Sequence, residues 1–344
     1  SGRERGMRIT KMNWFEEAKF GMFINWGVYA LWGQGECFIE YMDADEYAGK
    51  ADELNPCAGF AARWAKLARM AGMRYVVFTS KHEDGFCNFA TGITDFNSTR
   101  HGAKRDYLRE VIDAFRAEGI RIGIYHAPLD LYHNRLKAGE TVDAQRVKFK
   151  AQFHGLIREL LSNYGLIDLL WIDGRHPTGE AEEFYRLARD LQPEIIINDR
   201  AGPGGDYETP ENVFAPAQPG RAWELCTTIN DSWGYRSHDY NYKTVNQLIF
   251  LLSNCASHGG NLLLNISPLA DGSVPAEQEE RLLAIGDWLR LNGESIYGVK
   301  RLDNAYTCDG RITRKGRKLY LHNNYWQGSR QIVTGLTSEI LGGE

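Results

Sequence analysis

Short apolar runs alternate with glycine-stopped helical stretches along most of this 344-residue chain. The runs include Phe20-Gly21-Met22-Phe23-Ile24, Tyr75-Val76-Val77-Phe78-Thr79, Arg121-Ile122-Gly123-Ile124-Tyr125, Leu169-Leu170-Trp171-Ile172, Ile195-Ile196-Ile197 and Asn261-Leu262-Leu263-Leu264. Apolar residues at helical spacing predict helices over about 43–54, 59–71, 106–118, 142–164, 180–191, 245–257 and 276–292. Gly72, Gly119 and Gly165 stand where three of these helices should stop. Strands that alternate with helices of this length read as β/α units on a parallel sheet.

The polar residues fall at one end of that sheet. Asn25-Trp26 closes the first run, Ser80-Lys81-His82-Glu83-Asp84 the second, and Tyr125-His126 the third. Asp173-Gly174 and Asn198-Asp199-Arg200 close the next two. Chemistry carried at strand C-termini is the habit of a parallel barrel, whose catalytic rim lies there. A doubly wound sheet is the rival, but no G-x-G-x-x-G follows the first strand and no phosphate-loop lysine motif occurs. The expected fold is therefore α/β, a (β/α)8-like TIM-type barrel over residues 1–297. Beyond Tyr297, short alternating runs such as Lys318-Leu319-Tyr320-Leu321-His322 predict a short antiparallel β unit over 298–344. The Gly/Pro-rich stretch 201–220 reads as loop.

Composition removes several function classes. A net charge of −5 and a pI near 6.0 give no electrostatic footprint for nucleic acid or an anionic membrane. No apolar run approaches the roughly 18 residues of a membrane span. Six scattered cysteines without a CxxC pair indicate neither a zinc knuckle nor a redox motif, and buried free thiols are the expectation. His82, Glu83 and Asp84 are adjacent, without the i, i+4 spacing of metal motifs, so neither metal nor cofactor is expected. The chain opens Ser-Gly-Arg without a signal-peptide pattern, which leaves periplasmic, secreted and cytoplasmic locations open.

Aromatics are rich at 12%, with nine Trp and seventeen Tyr, and aromatic faces suit the apolar side of sugar rings. Asp173, one residue past Trp171-Ile172 at a strand end, is then a candidate nucleophile. On local sequence alone, an Asp that merely caps the next element is an equal alternative.

Eleven motifs in order sharpen this choice: WFEEAKFGMFINWG, GEC, AGMRYVVFTSKHEDGF, KRD, RIGIYHAP, LIDLLWIDG, IIINDR, GDYETPE, WELCTTINDSWGY, GGNLLLNISP and NGESIYG. Together they resemble the α-L-fucosidases of glycoside hydrolase family twenty-nine, over residues 14 to about 297. The resemblance implies a barrel followed by a β-sandwich, here shortened or truncated. It also implies retaining exo-hydrolysis of terminal α-L-fucosides through a covalent glycosyl-enzyme. By the same resemblance Asp173 matches the nucleophile and Glu211 the acid/base, with Glu224 as the alternative acid/base. Asn25, Trp26, Glu36, His82, Glu83, Tyr125, Trp171 and Arg200 fall at substrate-binding positions. The implied partner is a carbohydrate, and homo-oligomers are common in the family.

Three positions depart from the family's pattern. Asn25 replaces a histidine, Cys37 a tryptophan, and Glu83 the second of two histidines. Asn keeps a donor and an acceptor without charge, Glu is acceptor-only when ionised, and Cys removes an aromatic wall. A pocket that reads hydroxyls by hydrogen bonds discriminates strongly, by up to about 10⁴–10⁵. Three readings follow: a fucosidase with an unusual pocket, a relative shifted to an α-L-galactoside or another sugar, and an inactive carbohydrate-binding module.

Overall fold

The computed structural model describes residues 11–133, 141–176, 181–302, 306–307, 310–325, 328–336 and 339–343. Seven parallel strands form one curled sheet: β1 (Phe20–Ile24), β2 (Tyr75–Lys81), β3 (Arg121–His126), β4 (Leu169–Ile172), β5 (Ile196–Ile197), β6 (Glu224–Thr228) and β7 (Asn261–Ile266). Their order is β5-β4-β3-β2-β1-β7-β6. The helices are α1 (Ala44–Gly49), α2 (Phe60–Met70), α3 (Tyr107–Ala117), α4 (Val142–Asn163), α5 (Ala181–Leu191), α6 (Val245–Ser257) and α7 (Ala276–Asn292). The helix expected over 43–54 is split into α1 and a 3-10 turn, Lys50–Glu53.

A β/α barrel needs something between β5 and β6. Residues 206–212 fill that place without forming a regular strand. Tyr207 bridges Asn198 on one side, while Glu208 and Glu211 bridge Trp223 and Cys226 on the other. Asp206 N donates to Ile197 O at 2.7 Å, and Cys226 N to Pro210 O at 3.1 Å. Pro210 has no N–H to give, and Asn212 sits at φ 55°, so a ladder cannot propagate. Gly205 permits the close entry: a Cβ there would lie 2.4 Å from the Asp199 backbone. The segment read as loop is thus the eighth barrel position. Strand β6 was also hidden, because its inward residues Glu224, Cys226 and Thr228 break the apolar pattern.

Alternation along the strands sorts the core in two. Phe20, Met22, Ile24, Val76, Phe78, Ile122, Ile124, Leu170 and Ile172 face the helices. Phe23, Tyr75, Val77, Tyr125, Leu169, Trp171, Ile196, Tyr207 and Leu263 fill the barrel. The helical segment 11–18 closes the end opposite the rim. Met12, Phe15 and Ala18 join the inner cluster, and Phe15 packs on Tyr207 with ring centroids 4.6 Å apart.

Past the barrel, β9 (Gly310–Lys315) and β10 (Lys318–Asn323) form an antiparallel hairpin, and β8 (Tyr306–Thr307) pairs with β11 (Val333–Thr334). Thr313 Oγ1 ties the hairpin to Ser295 O at 2.7 Å. Buried thiols are found at Cys87, Cys226 and Cys255, whereas Cys37 is half-buried and Cys57 exposed. Cys308 lies outside the described residues.

Inside the barrel, Gly21 makes room for Tyr75. A Cβ at position 21 would fall 2.4–2.7 Å from three atoms of the Tyr75 ring. Gly21→Ala should therefore lose about 1–3 kcal/mol of stability, read as a lower urea midpoint at unchanged m-value. A wild-type midpoint would mean that the ring yields freely.

Candidate active site

Asp173 follows the inward residues Leu169 and Trp171 by the period of two, so it too points into the barrel mouth. Gly174, at φ 115°, turns the chain away immediately afterwards. Both Asp173 oxygens are held. Tyr125 OH donates to Oδ2 at 2.8 Å, and Arg200 Nη1 to Oδ1 at 2.8 Å. The other arm of the guanidinium donates to Glu211 Oε2 at 2.8 Å, and Nε to Thr209 Oγ1 at 3.0 Å. One arginine therefore bridges the two carboxylates. Asp173 is less exposed than Glu211, with side-chain exposures of 30% and 41%.

Rings form the floor. The Arg200 guanidinium lies 4.4 Å from the Trp171 ring centroid. Tyr125 stacks nearly parallel to Trp171 at 5.7 Å, and His82 nearly parallel to Tyr125 at 5.4 Å. Burial keeps His82 below the usual imidazole range, although Glu36 and Asp173 pull the other way. Its Nδ1 has no hydrogen-bond partner among the described residues. Glu36 approaches from the loop after β1, where its Oε2 accepts Gly234 N at 2.7 Å. Thus Asp173, Glu211, Arg200, Tyr125 and Trp171 meet in one connected network, with His82 stacked against it.

A family model for alpha-L-fucosidase matches residues 6–294. The chain belongs to the alpha-L-fucosidase family. It is 35% identical to human tissue alpha-L-fucosidase over 358 residues, which covers 91% of this chain and 75% of the relative. Among solved structures it is similar to alpha-L-fucosidase isoenzyme 1 from Paenibacillus thiaminolyticus, with TM-score 0.85, 36% identity, and coverage of 91% of this chain and 83% of that one. It is also similar to the Thermotoga maritima alpha-fucosidase solved in complex with fucose, with TM-score 0.77, 32% identity, and coverage of 90% and 82%. These neighbours support the (β/α) barrel with an added β region.

Within this alpha-L-fucosidase-family frame, two expected site residues lie elsewhere. Trp26 is fully buried on the helix side, stacked on Phe60, with its Nε1 bonded to Leu269 O at 2.8 Å. The strand's period of two explains it: Asn25 turns inward and Trp26 outward. Glu224, the alternative acid/base, is completely buried below the rim. Its oxygens accept Tyr75 OH at 2.5 Å and Trp171 Nε1 at 3.0 Å. Cys226 lies one inward step nearer the rim, already level with Arg200 Nη2 at 3.6 Å. Burial pushes the Glu224 carboxyl up to about 7.

The three departures cluster differently. Asn25 gives its amide N–H to Asn265 Oδ1 at 2.8 Å, inside the barrel. Cys37 and Glu83 share a rim wall with Glu40, their ligand atoms all within 4.8 Å of one another. Burial, then Asp173, raises Glu83 above the usual carboxyl range. Burial, then Glu36 and Glu83, pushes the Cys37 thiol up to about 12. The trio could each lend a cation one ligand atom, but a metal would first have to displace that thiol proton.

Asp84 was hidden in the His82-Glu83-Asp84 run, although its position beside an apolar strand end was a signal. It is buried, accepting Tyr47 OH at 2.7 Å and Phe86 N at 3.2 Å. Burial raises it to about 7. A carboxyl with a raised folded-state pKa binds its proton more tightly in the folded than in the unfolded chain. Its contribution is fully present at low pH and is lost as pH rises from about 4 to about 7. The melting temperature of Asp84→Asn should therefore fall less than that of wild type between pH 4.5 and 7.5. Parallel curves would show that Asp84 titrates alike in both states.

Proposed function

We propose that the protein is a retaining exo-glycosidase acting on terminal α-L-fucosides, with Asp173 as nucleophile and Glu211 as acid/base. The observation that carries this reading is the Arg200 fork, which binds both carboxylates at one barrel mouth at 2.8 Å each. Two carboxylates on one rim are the equipment of glycoside hydrolysis. The fucoside reading draws support from the relatives, which are alpha-L-fucosidases. A structure of the Bacteroides thetaiotaomicron member, 26% identical with TM-score 0.81, is a trapped covalent intermediate. The substrate class is a carbohydrate, and the chemistry asks for no cofactor.

In this mechanism the Asp173 carboxylate attacks the anomeric carbon while the C–O bond to the leaving group breaks. Glu211 gives its proton to the departing oxygen. Water then attacks the same carbon, Glu211 takes its proton, and Asp173 departs as carboxylate. Tyr125 and Arg200 hold Asp173 by both oxygens, so it needs little reorganisation to attack. Glu211 stands on the more open side, where a leaving group enters and water follows. Trp171, buried beneath Arg200, supports the site from below rather than touching the sugar, while Glu36 and His82 offer polar atoms around it. His82, held neutral, can both donate and accept.

Asp173→Ala should reduce turnover of an aryl α-L-fucoside by on the order of 10³-fold or more. Azide should then partly restore it, giving β-fucosyl azide. Undiminished turnover would remove Asp173 from the nucleophile role. Glu211→Ala should behave differently. Its loss should be about 10²–10⁴-fold for poor leaving groups and small for dinitrophenyl fucoside. Added azide should release the intermediate as α-fucosyl azide. The same loss for every leaving group would sink Glu211 as acid/base.

A further inference from the structure

Glu224 is a carboxyl that the hydrolytic mechanism does not use. It is completely buried, and an acid in a barrel core costs stability unless its bonds are needed. A leucine could occupy similar volume without that cost. What the acid adds is direction. Dispersion holds an indole against its neighbours but fixes its in-plane rotation weakly. An indole has one polar handle, its N–H, and a bond to that handle sets the rotation. In this protein the Trp171 N–H ends on Glu224 Oε1 at 3.0 Å.

The acid is itself anchored from below. Its other oxygen takes Tyr75 OH at 2.5 Å. Tyr75 is wedged in the barrel, against Gly21 on one side and the rings of Trp14 and Phe15 on another. Above, Trp171 carries Arg200 at 4.4 Å over its ring and Tyr125 stacked beside it. Arg200 and Tyr125 are the two groups that hold the oxygens of Asp173. A continuous line therefore runs from the closed end of the barrel to the rim: Tyr75, Glu224, Trp171, then Arg200 and Tyr125, then Asp173.

We infer that Glu224 is a positioning residue for this hydrolysis: by accepting the Trp171 N–H it fixes the indole that seats Arg200 and Tyr125, and so aims Asp173. This rests on Asp173 being the nucleophile. Glu224 touches neither sugar nor reacting atoms. Its charge state is secondary, because Tyr75 OH and Trp171 N–H can bond the ionised carboxyl and its neutral form.

The test is a double-mutant cycle on the whole protein, with active enzyme counted by the burst of aryl alcohol. Glu224→Leu, which keeps the volume and removes both acceptors, should lower kcat by about 10- to 100-fold with KM nearly unchanged, as expected for an ångström-scale misplacement. Glu224→Gln, which keeps an acceptor for the indole N–H, should retain most of the wild-type kcat. Trp171→Phe, which lacks the N–H, should lower activity by itself, and adding Glu224→Leu should then cost almost nothing more. Tyr75→Phe, remote from the rim and nearly isosteric, should lower kcat several-fold in the same sense. Wild-type kcat per active site in Glu224→Leu, or additive losses in the double variant, would overturn the proposal and leave Glu224 as packing. Azide rescue of Glu224→Leu together with dependence on leaving group would also overturn it, making Glu224 the acid/base. If Glu224→Leu does not fold, Tyr75→Phe decides: unchanged kcat rejects the proposal. If Asp173→Ala retains turnover, the nucleophile assignment fails, whereas the Glu224–Trp171 coupling is judged on the cycle alone.

Discussion

The mouth of this barrel depends on a single guanidinium. Two carboxylates facing one cavity repel, and a cation between them offsets that repulsion. Arg200 supplies that cation in a planar fork, with Asp173 on one arm and Glu211 on the other. A lysine is a point charge and cannot set two carboxyl groups at a fixed angle. The fork has to be held as well. Trp171 lies under it, and Thr209 takes its third nitrogen. The backbone from Thr209 to Glu211 must therefore run beside β6, which explains why an irregular segment occupies the eighth barrel position. A regular strand would impose strict alternation there, whereas Pro210 and Asn212 let that segment follow the arginine.

The same demand reaches down the barrel. Many parallel barrels fill their interior with branched aliphatic residues. This one places Tyr75, Glu224, Asn261, Asn25 and Asn265 among its inward positions, bonded to one another or to nearby backbone. Directional bonds restrict side chains more than apolar contacts do. The polar interior therefore reads as the lower storey of the site.

These choices also decided what was legible in the sequence. Strands with apolar outward and inward faces, β2 and β4, could be read from pattern alone, as could α6 and α7. Strand β6 could not, because Glu224, Cys226 and Thr228 replace the expected apolar side chains. The eighth position was obscured by Pro210 and three preceding glycines, Gly202, Gly204 and Gly205. Asp173 was singled out from its place at a strand end, whereas Arg200 and Glu211 were singled out only through motif order, since nothing local distinguishes Glu211 from other loop acids. Trp26 shows a different failure: counting by twos from Phe23 already sends it to the helix side, but its neighbour's role in the motif masked that. The depth of Glu224 could not be read either, because a Trp-Glu pair looks the same at the rim and two residues below it.

The departures at Cys37 and Glu83 now have a physical setting. Together with Glu36, Glu40 and Asp84 they make the β1–β2 side of the mouth rich in acids. Lys81, the nearest cation in that stretch, spends its ammonium on Leu129 O at 2.8 Å and His82 O at 3.3 Å. Glu83 is consequently half-desolvated beside Asp173 without a hydrogen-bonding cation among the described residues, and it retains its proton to higher pH than an ordinary glutamate. In that form it can donate as well as accept, as the histidine expected there does. Substitution of a neutral histidine by a glutamate is thus less drastic than formal charge suggests. Cys37, whose thiol also stays protonated, adds space without adding charge.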